Sequence, residues 1–353
     1  MHGKLIWVGA GVSALVLATL SATATANGAT SVKRAASRYV VNKLVADRPN
    51  HGAALVDPEL VNPWGLSAGP DSPLWVSDNG TDVSTVYTGA MNGGSTSKVL
   101  SVGTPGGAPT GQVFNSTSAF KVGGSPATFI FAGEHGDITA WNGGADAIKT
   151  AHTKNAVYKG LALVGGRSPR LLAANFHAGR VDVFNGKFAL LHTPNAFRGS
   201  KLPKHFAPFN VAVIGKRVFV AYAKQDSDRM DDVAGAGHGF IDTFSTHGAL
   251  LDRFARRGDL NSPWGIAVAP KKFGTFSADL LVGNFGDGRI HVFNPKGGHE
   301  LATLRRGNGK PIVIDGLWGL LVGNSAAGGP NAVWFSAGPG GEAHGLLGTL
   351  TLK

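Results

Sequence analysis

Apolar residues in this chain fall into short runs with a period near two. No 12-residue window free of Gly or Pro carries the i, i+3, i+4, i+7 stripe of an amphipathic helix. The stretch from Trp264 to Leu304 shows the unit most clearly. Ile266 and Val268 share one face of a first strand, and Asp279 to Asn284 is a nearly continuous apolar run of the kind buried on both faces. Asp287-Gly288 is a strong hairpin signal, and Arg289 to Phe293 then alternates as a third strand. After the turn Asn294-Pro295-Lys296-Gly297-Gly298 comes a fourth, Glu300 to Leu304. Four antiparallel strands in one repeat make a propeller blade.

The first strand recurs. Asn62-Pro63-Trp64-Gly65-Leu66, Ala207-Pro208-Phe209-Asn210-Val211, Ser262-Pro263-Trp264-Gly265-Ile266 and Leu317-Trp318-Gly319-Leu320 repeat one pattern, with weaker copies at Ser118 to Val122 and Lys159 to Val164. Aligning Trp64, Ser118, Lys159, Phe209, Trp264 and Trp318 gives a repeat of about 50 residues, which marks a propeller or solenoid. Second and third strands follow each copy, as in Leu74–Asp78 with Val83–Tyr87, and Leu171–Asn175 with Arg180–Phe184. The last copy stops after its third strand, near Leu352, and Tyr39 to Val45 is the strand left to complete it. Pairing them removes the open edges of an unclosed ring. The expected fold is all-β: a six-bladed β-propeller of four-stranded antiparallel blades, its ring closed by the N-terminal strand.

Before that strand, Lys4, the apolar run Leu5 to Leu20 and Ala24-Thr25-Ala26 have the layout of a secretory signal peptide. The expected division is a signal peptide over 1–26, a flexible leader over 27–38 and one propeller domain over 39–353, exported by a bacterial Sec-type route, without integral membrane association after cleavage and monomeric. The chain has no cysteine, so no disulfide stabilises it and no thiolate can act as nucleophile or ligand. With 52 Gly and 18 Pro among 353 residues, many short strands joined by turns are favoured over helices. The net charge of +11 is scattered, densest at Arg253, Arg256 and Arg257, at Lys271 and Lys272, and at Arg305 and Arg306. Phe254 alone falls between residues of these groups, too few aromatics for a nucleic-acid platform.

The segments Val76-Ser77-Asp78-Asn79-Gly80 and Val282-Gly283-Asn284-Phe285-Gly286-Asp287-Gly288 resemble those of the NHL and SMP-30-like propellers. Asn62-Pro63-Trp64-Gly65, Ser262-Pro263-Trp264-Gly265 and Tyr222-Ala223-Lys224-Gln225-Asp226 with Asp231-Asp232-Val233-Ala234-Gly235 are more specific. Together they resemble one secreted bacterial propeller family whose biochemical role is not established. The SMP-30-like resemblance implies a divalent ion at the channel mouth, held by acidic and Asn ligands. This chain departs from that pattern where Asn62 stands in place of the acidic residue.

Turns into first strands and turns between second and third strands open on one face of a propeller. That face gathers Asn62, Asn261 and Asp315 with Asp78, Asn79, Glu134, His135, Asn175, His177 and Asn284. Such an oxygen-rich set suits Ca²⁺ or another hard divalent cation, or else these residues cap their own turns. The insertion Gln225–Gly239 holds Asp226, Asp228, Asp231 and Asp232, which need a cation such as Ca²⁺, or Arg229, to relieve their repulsion. It is not an EF-hand, because its sixth position is Asp231 rather than Gly. No Gly-x-Ser-x-Gly or His-Glu-x-x-His occurs, and Glu134 and His135 as strand neighbours point to opposite sides. The expected function is a secreted binding or interaction module for an extracellular glycan, wall polymer or protein. The alternative is a divalent-metal-dependent lactonase or related hydrolase of SMP-30-like type.

Overall fold

A computed structural model of the protein describes residues 37–199 and 201–353. The segment expected to be a signal peptide, 1–26, and the expected leader up to residue 36 lie outside the described residues. Ser37 and Arg38 are tied to the domain: Thr275 donates its N–H to Ser37 Oγ at 2.8 Å, and Lys353 donates to the Arg38 carbonyl at 2.9 Å.

Six sheets surround one axis. Blade 1 comprises Pro63–Ser67, Leu74–Asp78, Val83–Gly89 and Thr96–Gly103 from inside outwards. Blade 3 runs from Tyr158–Val164 to Leu190–Leu191, blade 4 from Phe206–Ile214 to Leu250–Arg256, and blade 5 from Pro263–Val268 to Glu300–Thr303. Blade 6 has Leu317–Val322, Val333–Ala337 and Leu346–Leu352. Its next strand is the N-terminal Tyr39–Ala46, paired antiparallel to Leu346–Leu352, with Leu55–Val56 added in parallel at the edge. Among the described residues no helix is long and apolar enough to cross a membrane.

Blade 2 departs from the sequence reading. Its inner strand is Pro109–Phe114, followed by Phe129–Gly133, Asp137–Trp141 and Ile148–His152. Ser118 to Val122 is not an inner strand: Lys121–Val122 pairs only with Ser125–Pro126 in a small hairpin outside the blade. The physical reason is the glycine that an inner strand requires. A Cβ on Gly65 would sit 2.4 Å from the Thr110 carbonyl oxygen, one on Gly111 2.2 Å from Leu161 N, one on Gly265 2.7 Å from the Trp318 carbonyl, and one on Gly319 2.6 Å from the Trp64 carbonyl. Each glycine therefore admits the backbone of the next blade. Blade 4 has Asn210 at this position, and its Nδ2 donates to the Trp264 carbonyl at 2.7 Å. Ser118 to Val122 offers no such glycine, whereas Thr110-Gly111 does.

The Trp-Gly repeat is thus the device that lets six inner strands close around a narrow axis. Gly111→Ala should destabilise the domain by about 3 kcal/mol, the upper end of overpacking costs, because the opposing atoms are backbone and cannot rotate away. Urea unfolding checks this, and an unchanged midpoint would show that the inner ring has room to spare.

Apolar packing follows the same geometry. Six buried clusters each span one seam between neighbouring blades, as Trp75 and Val86 meet Phe129 and Phe131 between blades 1 and 2. A seventh lies on the axis and is purely aromatic apart from two alanines: Trp64, Trp264, Trp318, Phe176, Phe209 and the half-buried Phe285.

Candidate binding site at the channel mouth

Every inner strand breaks register with its neighbour at one place. The shift falls between Pro63 and Leu66, Tyr158 and Gly160, Pro208 and Asn210, Pro263 and Gly265, and Leu317 and Leu320, and opposite Phe131 and Gly133 in blade 2. A bulge re-aims the side chain it carries. Here it delivers Trp64, Lys159, Phe209, Trp264 and Trp318 to the axis. Contacts among blades 1, 3 and 5 must cross the channel, since these blades are not neighbours. Trp64 and Trp264 lie edge to face at 6.2 Å, Trp264 Nε1 donates to the Lys159 carbonyl at 2.9 Å, and the Lys159 ammonium stands 5.1 Å from the Trp64 ring centre. Trp318 stacks between Trp64 at 3.6 Å and Phe285 at 3.9 Å. The rings fill the axis. Beyond them a cavity of about 350 Å³ opens among Ser67, Val113, Leu163, Val213 and Leu321.

On the other side of the aromatic floor sits a polar network. Lys159 is 1% exposed, and its Nζ pairs with Glu134 Oε1 and, at 2.9 Å, with Asp231 Oδ1. Asn79 Nδ2 donates to Glu134 Oε2 at 3.0 Å. Asn62 Nδ2 donates to Asn79 Oδ1 at 3.2 Å and to Glu342 Oε2 at 2.7 Å, while Asn62 Oδ1 accepts from Trp318 Nε1 at 3.0 Å. Asn62 holds a left-handed φ of 46°, a conformation that Asn tolerates better than most residues. Blades 1, 2, 3, 4 and 6 each contribute to this one chain of contacts.

The electrostatics follow from burial. Burial alone would lower the Lys159 pKa, but the Glu134 and Asp231 charges outweigh it and hold the ammonium above its ordinary value. Burial pushes the Glu342 carboxyl up, against the Asn62 hydrogen bond and the Lys159 charge. Burial also raises Asp232, with Ser262 and Lys159 opposing it.

The residues picked from the sequence divide between this network and the turns. Asn62, Asn79 and Glu134 belong to the network, and so does Asp231 of the insertion. Asp78 is fully buried and accepts from the Thr85 N–H at 2.9 Å and the Thr85 hydroxyl at 2.6 Å, inside blade 1. Asn175 donates to Asp182 and accepts from Ala178 N, and Asn284 donates to the Asp259 carbonyl, so both tie turns. Asn261 Oδ1 anchors the insertion by accepting from Gly235 N at 2.6 Å. His135 is exposed against the Gly106 carbonyl, and the exposed Asp315 accepts from Gly340 N. His177 is half-buried, and its buried Nδ1 has no partner among the described residues.

The insertion is folded back on itself, with Gln225 bridged to Asp232 and Asp226 N donating to the Asp231 carbonyl at 2.8 Å. Its carboxylates face different partners. Asp226 accepts from Met230 N, Asp228 from Ser227, and Asp231 from Lys159. Sequence reasoning placed Lys159 in a weak strand copy without seeing its role. The available signal was a lysine at a position that is aromatic in four other blades. Glu342 was missed altogether.

Comparison with known proteins adds relatives and fold neighbours. The chain is 32% identical over 335 residues to "Uncharacterized protein R648" of Acanthamoeba polyphaga mimivirus, covering 90% of this chain and 81% of that protein. It is 31% identical over 336 residues to "Uncharacterized protein L690" of the same virus, covering 90% and 87%. No established family profile matches the chain. Among solved structures, Penicillium chrysogenum alpha-L-arabinanase aligns with a TM-score of 0.58 at 11% identity, covering 88% of this chain and 98% of that one. Streptogramin B lyase aligns with a TM-score of 0.52 at 11% identity, covering 89% and 97%. At such identities these two bear on the fold alone.

Proposed function

The chain belongs to the same family as the two mimivirus proteins, and we propose that it is a binding module whose channel mouth takes an amine-bearing polyhydroxylated ligand of the amino-sugar class. The observation that carries this reading is the one-sidedness of the mouth. On a chain of net charge +11, Glu134, Asp231, Asp232 and Glu342 meet there around the Lys159 ammonium. Asp231 is 74% exposed and Glu134 23%, so both keep lone pairs free for a donor arriving from solvent. Asn62 and Asn79 add amides, the group that satisfies hydroxyls as donor and acceptor together. With the leader of residues 1–26 read as a signal peptide, the ligand is extracellular, a glycan or wall polymer.

The SMP-30-like hydrolase reading needs a divalent ion among these donors. They do not fit a resident ion, because the Lys159 ammonium already occupies the position between Glu134 and Asp231. No hydrolytic step is therefore drawn through such an ion.

Titration calorimetry with glucosamine oligomers and their N-acetylated counterparts tests the proposal. The cationic oligomer should bind, and Asp231→Asn or Asn79→Ala should each weaken it about 10-fold, the worth of one hydrogen bond to a charged group. Preference for the acetylated oligomer, or an affinity unchanged from the parent in both variants, would overturn it.

A further inference from the structure

A second cluster lies where the N-terminal strand ends against the last blade. We infer that Asp47, His51 and His344 form a binding site for a divalent transition-metal ion, zinc in the first instance, that clips the ring closure shut.

The donors come from three separate places. Asp47 follows directly on the closing strand Tyr39–Ala46, His51 ends the short 3-10 turn Pro49–His51, and His344 stands in the loop leading into Leu346–Leu352. One ligand atom from each lies within 4.8 Å of the other two. His344 Nδ1 is 2.9 Å from Asp47 Oδ2, and His51 Nδ1 is 3.9 Å from Asp47 Oδ1. The two distances run to different carboxylate oxygens, and the spacing of about 3.4 Å that a tetrahedral ion with bonds of about 2.0–2.1 Å needs lies within the 4.8 Å span of the three ligand atoms. Two imidazoles and a carboxylate are borderline ligands, which suit zinc and its neighbours rather than calcium or magnesium.

The frame behind the donors is fixed. Asp47 N donates to the Gly345 carbonyl at 3.3 Å and Gly345 N donates to Asp47 Oδ1 at 3.1 Å, so strand end and loop already hold one another. The His344 carbonyl accepts from Asn62 N at 3.0 Å, and the His51 carbonyl accepts from Lys43 Nζ at 3.0 Å. The two imidazoles meet edge to face at 5.2 Å. The side chains of Asp47, His51 and His344 are 10%, 22% and 24% exposed, shielded enough to hold an ion yet reachable from solvent. Two cations lie nearby: Lys43 Nζ is held on the His51 carbonyl, and Arg48 Nε lies 3.9 Å from Asp47 Oδ2 on a half-exposed side chain that can swing away. Three protein ligands leave a fourth position open, the arrangement that lets a bound ion take water or a ligand group.

The site also touches the channel mouth. The loop that carries His344 carries Glu342, the partner of Asn62. An ion here would tie the N-terminal strand, the last blade and one wall of the mouth into one unit.

The test uses tag-free full-length protein, titrated with Zn²⁺ by calorimetry and with Co²⁺ by visible absorption. The expected result is one ion per chain and a Co²⁺ d–d spectrum, with a higher melting temperature in zinc. His51→Ala and His344→Ala should lower the affinity by more than the 10–100-fold that loss of an outer-shell partner costs. His291→Gln, in the other three-donor cluster of Asp259, His291 and Glu300, should leave binding unchanged. If His344→Ala proves unstable, His51→Ala alone decides, because its turn lies outside the blades. Absence of binding, or binding lost in His291→Gln and kept in His51→Ala, would overturn the assignment.

Discussion

A chain lacking Tyr39–Ala46 is expected not to form a stable propeller. That strand meets Leu346–Leu352 along its whole length, from Tyr39 opposite Leu352 to Ala46 opposite Leu346. It also serves two seams at once. Tyr39 and Ala46 belong to the cluster between blades 5 and 6, where Tyr39 stacks on Phe273 at 4.4 Å and donates its hydroxyl to the Phe273 carbonyl. Leu44 and Val45 belong to the cluster between blades 6 and 1. Each of these large side chains is at most 5% exposed, and full burial of one contributes about 1.5–3 kcal/mol. Three of them, with the lost ladder, approach the ~5–15 kcal/mol that separates a folded domain from its unfolded chain. Near-ultraviolet circular dichroism and thermal melting of the truncated protein check this. A cooperative transition within a few degrees of the full chain would mean that blade 6 holds without its outer strand.

The second large effect concerns charge at the mouth. Removing both partners of Lys159, as in the double variant Glu134→Gln with Asp231→Asn, leaves a buried ammonium with no carboxylate paired to it. Breaking a buried pair in this way costs about 3–5 kcal/mol. The pH dependence should also change sign. In the parent protein the folded-state Lys159 pKa lies above its ordinary 10.5, so its contribution is complete below that value and is lost as pH rises through the folded pKa. In the double variant only Asp232 and Glu342, neither hydrogen-bonded to the ammonium, oppose burial, and the folded pKa falls below 10.5. Stability should then rise with pH between neutrality and about 10. Adding Lys159→Met to the double variant should recover most of the loss and flatten the profile. Urea unfolding at a series of pH values measures both. Equal slopes in parent and double variant would show that Glu134 and Asp231 do not hold the ammonium.

Much of the fold was legible because its signals are local. Asp287-Gly288, Asn294-Pro295 and the alternation of Arg289–Phe293 specify hairpins within one blade, and the missing outer strand of blade 6 points to Tyr39–Ala46. Blade 2 was misread because Ser118 to Val122, aligned through Ser118, imitates a short inner strand, whereas the determinant is Gly111, which matters only through its contact with Leu161 of the next blade. The mouth was legible where side chains leave turns outward, as at Asn62, Asn79 and Glu134. It was illegible where a turn uses its own polar group, since nothing in Asn175 or Asn284 by itself says that the amide faces inward. Glu342 could not be read at all. Its loop reaches Asn62 only because the ring closes, and its partner lies 280 positions away in the chain. Asp231 looked like one of four carboxylates awaiting calcium; its cation comes from blade 3, through a bulge that sequence does not announce.

The Lys159 ammonium, between Glu134 and Asp231, holds the place a divalent ion would take at the mouth. Thermal unfolding of the parent protein across a calcium series, at constant ionic strength, tests it most directly. A ligand of the native state stabilises by about 2.7 kcal/mol at 100 times its dissociation constant, so a resident calcium site could not be overlooked. No shift of the melting temperature is expected beyond that in matched sodium chloride. A rise that saturates with calcium, and that disappears in Asp231→Asn, would contradict it.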